Sequence, residues 1–497
     1  MQGDRTTRAQ LSWQNMLPPS LLALAALALR LWHLDYDSIW LDEAMSAYHS
    51  SLPSKYLWKK AIVNKPPLYY HITTLFWSPG DGAFALRLPA AIFGAVTVFL
   101  SWYLGKALAG TKGAALLAFF VLLSPVNIQY SQEARNYTLL TVGWLLVILA
   151  LFRLVESAQQ PKPPIRFLAM LGVGIMLMIQ THPIAWIYLV AAAASYVSAQ
   201  ALSGHLTRPN LLHPLWTCLL ACLTLLPWLP SILRLANGAH HFNWLEQPSA
   251  EMALDDFLQL FGSSWLALMG LTGLVLYWVR HRLSEGVLLL GLLLLPPLLI
   301  WLAGFIKPMY MLRTIMPGHV LALAGMVLLI TTLRGRWLGI AASVVVVWSL
   351  TTLSYRQLTT FHKEDWRGLS RQLLSQSKPT DVVLVCEPYL YYPLWFYLGK
   401  SLPHTYAIKA KGDGLAQLSN VVNSTWLQCP NGTCAPFYQQ GQPGLRKVIW
   451  AVDGGSDLSC ASTQIQASLL KLTGQEYLPQ SAWQGHKVQL TPYVLAD

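Results

Sequence analysis

Apolar runs of about twenty residues, the length that crosses a bilayer, follow one another from the start of the chain to about residue 360. The first extends from Leu17 to about Leu34. Further spans are predicted near 83–104, 113–130, 136–156, 166–182, 184–201, 214–231, 261–280, 286–305, 309–331 and 337–355. This makes about eleven transmembrane helices, an odd number that sends the two termini to opposite sides. Because so many spans follow it, the first run reads as a retained anchor and not a cleaved signal peptide. Beyond His362 the pattern changes. Asp365-Trp366-Arg367 opens an amphipathic helix that runs through Leu374, and Val382–Val385 and Lys447–Val452 read as strands. Leu390–Leu398 reads as an apolar helix or packing segment, 461–472 as a helix and 487–495 as a strand. Such alternation predicts a small α/β domain. The chain therefore divides into a membrane domain, 1–360, with a long first loop at 35–82, and an α/β domain, 361–497.

Composition agrees with a polytopic helical membrane protein. Hydrophobic residues make up 54% and charged residues only 11%, with a mean hydropathy of +0.42. The formal charge of +12 does not point to nucleic acid, because the basic residues are scattered through short loops without a basic stripe or zinc pattern. Their distribution orients the chain. Arg153, Lys162, Arg166, Arg208, Arg280, Arg282, Arg334 and Arg336 all fall on the side of the N-terminus, which makes that side cytoplasmic and the α/β domain extracytoplasmic. The short loops suit a bacterial plasma (inner) membrane. In the α/β domain Cys386, Cys429, Cys434 and Cys460 permit disulfides, with three connectivities left open.

The polar residues that orientation does not explain gather on the outer side. Asp35, Asp37, Asp42 and Glu43 place four carboxylates within nine residues, in a chain with only 22 acids. A solvated loop whose Asp42-Glu43 pair opens a helix is one account, since acids favour the positive end of the helix dipole. A general base at the membrane surface is the other. Lys55, Lys59, Lys60 and Lys65 stand in the same first loop, against the charge rule; they either bind an anionic ligand or offset the neighbouring acids. Lys65-Pro66-Pro67-Leu68-Tyr69-Tyr70 ends that loop's amphipathic stretch, and Arg87 follows. A second outer loop carries Ser131-Gln132-Glu133-Ala134-Arg135-Asn136-Tyr137, in which Glu133 and Arg135 read as a surface pair. A third, 232–260, holds His240, His241, Trp244 and Glu246 and reads as a lid. Lys307 and Arg313 flank Pro308-Met309-Tyr310 at the outer end of another span. The spans themselves carry few charges, which argues against an ion-coupled carrier. The pattern favours chemistry on a substrate whose tail stays in lipid. A phosphate head group accounts for the cations, and a hydroxyl or amine acceptor for the carboxylate base.

The run Ser38-Ile39-Trp40-Leu41-Asp42-Glu43-Ala44 resembles the first-loop acidic motif of the GT-C glycosyltransferases. It is most similar to the branch containing protein O-mannosyltransferases and the bacterial lipid A aminoarabinose transferase. Lys65–Tyr70 and Arg87-Leu88-Pro89 resemble that branch's next two motifs, in order. Ser131–Tyr137 resembles its Glu-x-Arg-x-Tyr signature, and Lys363–Arg367 the start of its soluble domain. The resemblance implies a GT-C fold and an inverting transfer of a sugar from a polyprenyl-phosphate donor to a lipid, glycan or protein acceptor. It makes Asp42 the base and Glu43 the residue that orients Asp42 or the acceptor. Lys65, Arg135, Arg313 and Arg87 become donor-phosphate ligands, and Tyr69, Glu133, Tyr137 and His241 substrate contacts. The chain departs from the pattern in lacking the lumenal insert of eukaryotic protein mannosyltransferases, and in placing Thr314 after Arg313 where many relatives have Tyr. A carboxylate pair can also hold a divalent cation, magnesium or manganese; no residue is assigned as a metal ligand. The competing function is a flippase or transporter of lipid-linked sugars, in which Asp42 and the lysines guard an entrance.

Overall fold

The computed structural model describes residues 13–54, 57, 66–230, 247–280, 283–360, 363–378, 381–385, 390–399, 404–411, 415–419, 448–454, 465–466, 469 and 476–495. Lys55, Lys59, Lys60, Lys65, His240, His241, Trp244, Glu246, most of the helix expected over 461–472 and the four cysteines from Cys386 to Cys460 lie outside the described residues.

In chain order the helices are α1 (Trp13–Leu31), α2 (Leu41–Ser51), α3 (Leu68–Thr73), α4 (Ala83–Leu122), α5 (Pro125–Ser131), α6 (Tyr137–Glu156), α7 (Ile165–Ile179), α8 (Ala185–Leu202) and α9 (Arg208–Cys222). They continue with α10 (Ala250–Gln259), α11 (Ser264–Arg280), α12 (Leu283–Gly304), α13 (Leu312–Ile315), α14 (His319–Thr332), α15 (Arg336–Thr359), α16 (Trp366–Gln376) and α17 (Tyr391–Leu398). The chain forms two compact units. One comprises Met1–Trp32, Lys65–Tyr69 and Arg87–Thr360; the other comprises His33–Asn64, Tyr70–Leu86 and Phe361–Asp497.

The first unit is a helical bundle. Among the described residues seven helices are long and apolar enough to cross a membrane, or eight if α10 and α11, bent by 77°, count as one span. Each of the eleven sequence-predicted segments has a helical counterpart, although α7 and the apolar part of α1 are shorter than a full span. Helices α6 and α14 are buried along most of their length, whereas α9 and α15 are mostly exposed. On α15 the outward residues include Trp337, Leu338, Val344, Val345 and Trp348. That much exposed apolar surface needs lipid as its solvent.

Two close approaches define the bundle. The predicted spans 83–104 and 113–130 begin as the single run α4, broken where Gly110 takes φ 66° and Ala109 leaves helical geometry. A left-handed residue there reverses the chain at little strain only if it is glycine. Where α11 crosses α14, a Cβ added to Gly273 would overlap the carbonyl of Gly325, so the two backbones touch directly.

The second unit is built on a mixed sheet of β1 (Val382–Val385), β2 (His404–Lys411), β3 (Leu415–Ser419), β4 (Val448–Gly454), β5 (Tyr477–Pro479), β6 (Trp483–Gly485) and β7 (Val488–Leu495). Its order is β3-β2-β1-β4-β7-β5, with β6 paired to β7. β1 is parallel to β2 and β4, and the other pairings are antiparallel. Val383, Val385, Trp450, Val452, Val488 and Leu490 from the sheet form one apolar core with Trp366, Leu369 and Leu373 of α16 and Leu394 and Leu398 of α17. Ile39 and Ala44, from the first loop, complete that core. The acidic stretch thus belongs to the folded body of the second unit.

Candidate active site

Residues 33–43 of the second unit are held by the C-terminal part of the chain. His33 takes a left-handed φ of 57° just beyond α1, and its ring stacks on Tyr36 at 5.1 Å. The Arg367 guanidinium then donates to the Asp35 carbonyl at 2.9 Å and to Asp35 Oδ1 at 2.8 Å. The Arg367 amide donates to Ser38 Oγ at 3.0 Å. Tyr397 Oη, on α17, accepts from the Ile39 amide at 2.9 Å and shares a hydrogen bond with Ser38 Oγ at 3.0 Å. These contacts fix the loop to within one residue of Trp40, the N-cap of α2.

The first turn of α2 then separates the two acids. Glu43 is fully buried, and its Oε2 lies 3.1 Å from Lys363 Nζ, whose side chain is 13% exposed. The Trp40 amide points at the same oxygen from 3.5 Å. Asp42, one residue earlier, is only partly buried. Both acids sit at the positive end of the helix dipole, which favours their charged forms. Farther along α2, Tyr48 packs edge-on against Tyr392 at 5.0 Å and Trp395 at 5.5 Å, and His49 meets Tyr70 at 5.2 Å.

The first unit holds the second-loop signature. Ser124 caps α5 by accepting from the Asn127 amide at 3.3 Å, and Pro125 takes the first helical position. After α5 the chain is tied to α1. Arg30 Nε donates to Ser131 Oγ at 3.2 Å, and Gln132 Nε2 donates to the carbonyls of Arg30 and Trp32 at 3.1 and 2.8 Å. Glu133 and Arg135 follow, each 7% exposed. The expected surface pair is therefore corrected to two buried charges, because the loop is drawn inward by Ser131 and Gln132. Arg135 Cζ lies 5.8 Å from the centroid of the Tyr137 ring. That ring packs on Tyr130 at 5.9 Å and His182 at 5.7 Å.

Arg313 reaches the same neighbourhood. The residues around it, Leu312 and Met316, pack against Tyr130 and Tyr137. Arg313, Glu133 and Asp256 all lie within electrostatic reach of the Tyr130 hydroxyl. The Arg313 turn is capped by Thr314, whose Oγ1 accepts from the Met311 amide at 3.1 Å and donates to the Met311 carbonyl at 2.7 Å. Asp256, on α10 ahead of the predicted span 261–280, accepts from the Leu312 amide, and burial pushes its carboxyl up to about 6.

The structure thus gathers Glu133, Arg135, Tyr137 and Arg313 in one unit, and Asp42 and Glu43 in the other. Arg87 on α4 and Tyr69 on α3 are buried; Lys65 and His241 are outside the described residues. Sequence reading gave no role to Lys363, Arg367, Tyr397, Arg30 or Asp256. Lys363 and Arg367 stood in a run singled out as the start of the soluble domain, and that was their only signal. Among the described residues no group of three or more His, Cys, Asp or Glu is placed to hold a metal ion.

Comparison with known proteins bears on the whole chain. Residues 64–230 match the family model described as dolichyl-phosphate-mannose-protein mannosyltransferase. The structure is similar to that of ArnT from Cupriavidus metallidurans in the apo state, with a TM-score of 0.60 at 12% identity, over 95% of this chain and 97% of that one. It is similar also to the same enzyme bound to undecaprenyl phosphate, with a TM-score of 0.57 at 12% identity and the same coverage of 95% and 97%. The apo oligosaccharyltransferase of Archaeoglobus fulgidus matches with a TM-score of 0.51 at 9% identity, over 79% of this chain and 65% of that one. No curated protein matches the chain in sequence. At such identities the structural likeness is one of fold. Together with the family match over 64–230 it bears out the resemblance read from the motifs, and the apolar helices agree with a multi-pass helical membrane protein.

Proposed function

We propose that the chain is an inverting glycosyltransferase, which moves a sugar from a polyprenyl-phosphate donor to an extracytoplasmic acceptor in the bacterial plasma membrane. The observation that carries this reading is the division of labour within the acidic pair. Glu43 is buried against an ammonium, while Asp42 beside it keeps partial exposure at the start of α2. One carboxylate is a fixed part of the structure and the next is accessible to a proton donor, as a general base must be. The family match over 64–230 and the shared fold with an enzyme that binds undecaprenyl phosphate support the donor class.

In this mechanism Asp42 takes the proton of an acceptor hydroxyl or amine. The acceptor atom bonds to the anomeric carbon from the face opposite the phosphate. The bond from that carbon to the phosphate oxygen breaks, and the electron pair leaves with polyprenyl phosphate. A single displacement inverts the configuration. Arg135, Arg313, Lys65 and Arg87 stabilise the charge that grows on the leaving phosphate, while Glu133, Tyr137, Tyr69 and His241 contact the sugar or acceptor. Glu43 is already engaged by Lys363, so a divalent cation, if the enzyme uses one, is not needed to neutralise that acid.

The test is transfer of radiolabelled sugar from a panel of polyprenyl-phosphate donors by the purified protein, beside Asp42→Asn. Transfer or slow donor hydrolysis is expected in the wild type, falling by about 10³-fold in the variant with donor binding retained. Equal turnover in the two proteins removes Asp42 from the mechanism. A transporter would move lipid-linked sugar across vesicles without consuming it.

A further inference from the structure

The clearest contact without an assigned purpose joins residues 320 positions apart. Lys363 Nζ lies 3.1 Å from Glu43 Oε2, with the carboxylate side chain fully buried and the lysine 13% exposed. A carboxylate buried without a partner is unfavourable by several kcal/mol, so Glu43 must be either paired or neutral. The surrounding acids have other engagements. Glu364 Oε2 accepts from Trp366 Nε1 at 2.8 Å, and Asp365 caps α16 by accepting from the Gly368 amide at 2.8 Å.

The contact controls more than one charge. Asp42 and Glu43 are successive residues in the first turn of α2, so their side chains leave the helix about 100° apart. Pinning Glu43 inward sets the rotation of that turn, and with it the direction of Asp42. The loop ahead of α2 is held by two further residues of the same C-terminal part, Arg367 on Asp35 and Ser38, and Tyr397 on Ile39. Three clamps from 363–397 therefore bracket the acidic motif.

We propose that Lys363 is a positioning residue: its ammonium holds Glu43 as a buried anion and thereby fixes the orientation in which Asp42 meets the acceptor. The proposal rests on the glycosyltransferase reading above. It gives the C-terminal domain a share in the chemistry, in addition to any role in acceptor binding.

The experiment compares the full-length wild type with Lys363→Met, Lys363→Arg, Glu43→Gln and the double variant Lys363→Met/Glu43→Gln, using a donor that the wild type consumes. Lys363→Met is expected to lower kcat by about 10²-fold, as for a displaced catalytic group, with donor KM within about threefold. Lys363→Arg restores most of the loss, since it keeps the charge. The double variant should turn over like Glu43→Gln alone, because the buried charge that Lys363 balances is gone. Unchanged kcat in Lys363→Met, or effects of the two single substitutions that multiply, overturns the proposal. A wild type that consumes no donor sinks the glycosyltransferase reading instead. In that case the catalytic part of the positioning claim falls with it, and thermal midpoints of the same proteins test the Lys363–Glu43 contact alone: non-additive shifts support the contact and additive shifts overturn it.

Discussion

Arg30 and Ser131, a hundred and one positions apart, meet in the interior of the membrane unit, with Arg30 Nε 3.2 Å from Ser131 Oγ and the arginine wholly buried. The same guanidinium donates to the carbonyls of Ala26 at 2.9 Å and of Val121 and Leu122 at 3.4 Å. The last two belong to the C-terminal end of α4, where carbonyls lack helical partners and the dipole is negative. One cation thus binds α1, the end of α4 and the second-loop signature together.

Removing it should loosen all three. We expect Arg30→Met to cost at least about 3 kcal/mol, since several charge-assisted hydrogen bonds are lost and buried acceptors are left unmet. Arg30→Lys keeps the charge but not the fork that reaches three directions, so it should recover only part of the loss. Gly94→Ala should imitate the defect, because its Cβ would overlap Ser131 Oγ. Thermal midpoints in detergent read all three. A midpoint for Arg30→Met equal to that of the wild type would show that the cation carries no weight.

Thr314 occupies a place where tyrosine was expected from the resemblance, and the structure gives it a local task. Its hydroxyl closes the Met311–Thr314 turn that presents Arg313. Thr314→Val keeps the shape and loses the cap, at a cost of about 1 kcal/mol. If Arg313 binds donor phosphate, donor KM should rise severalfold, while Thr314→Ser stays close to the wild type. A normal KM in Thr314→Val, with the expected loss of stability, separates the cap from the function of Arg313.

These two residues mark how far the sequence could be read. The helical segments were legible because lipid demands long apolar runs, whatever packs against them. The hairpin at Ala109–Gly110 was legible as a gap between two runs. Strands β2 and β3 were not, since His404–Lys411 mixes Lys409 and Lys411 with small residues and offers no clean alternation. Arg30 looked like part of an apolar span, because inward and outward cations are alike until the helix has neighbours. Glu43 was flagged from its local cluster, but Lys363 was not paired with it. A contact across 320 positions leaves no local pattern, only a lysine beside an aspartate, a tryptophan and an arginine.

Arg135 offers a sharper test of the phosphate assignment. It is almost buried and lies over the Tyr137 ring at 5.8 Å, near the outer limit of a cation–π contact. Tyr137→Leu should therefore lose little from that contact, about 0.5 kcal/mol. Arg135→Lys should lose more where the donor is concerned. A lysine cannot grip a phosphate with two parallel donors, so donor KM should rise about tenfold. Fluorescence or calorimetric titration with undecaprenyl phosphate checks binding without turnover. Unaltered affinity in Arg135→Lys removes this residue from the phosphate site.

Asp256 supplies a prediction about pH whose sign follows from its surroundings. Burial pushes its carboxyl from the ordinary 3.8 up to about 6; the Leu312 amide opposes the shift and Asp255 adds to it. Between about 4 and about 6 the folded protein keeps a proton that the unfolded chain has released. Stability from this group is therefore full at lower pH, is lost as pH rises through that window, and stays lost above it. The residue is partly exposed, so solvent screening limits the effect to less than about 1 kcal/mol. Asp256→Asn cannot titrate and should remove the slope. Thermal midpoints of the two proteins, corrected for the variant's own offset, should run together near pH 4 and separate by pH 8 with the variant higher. If the wild type instead gains stability relative to the variant as pH rises, Asp256 is held in its charged form, and a cation must lie closer to it than the Leu312 amide implies.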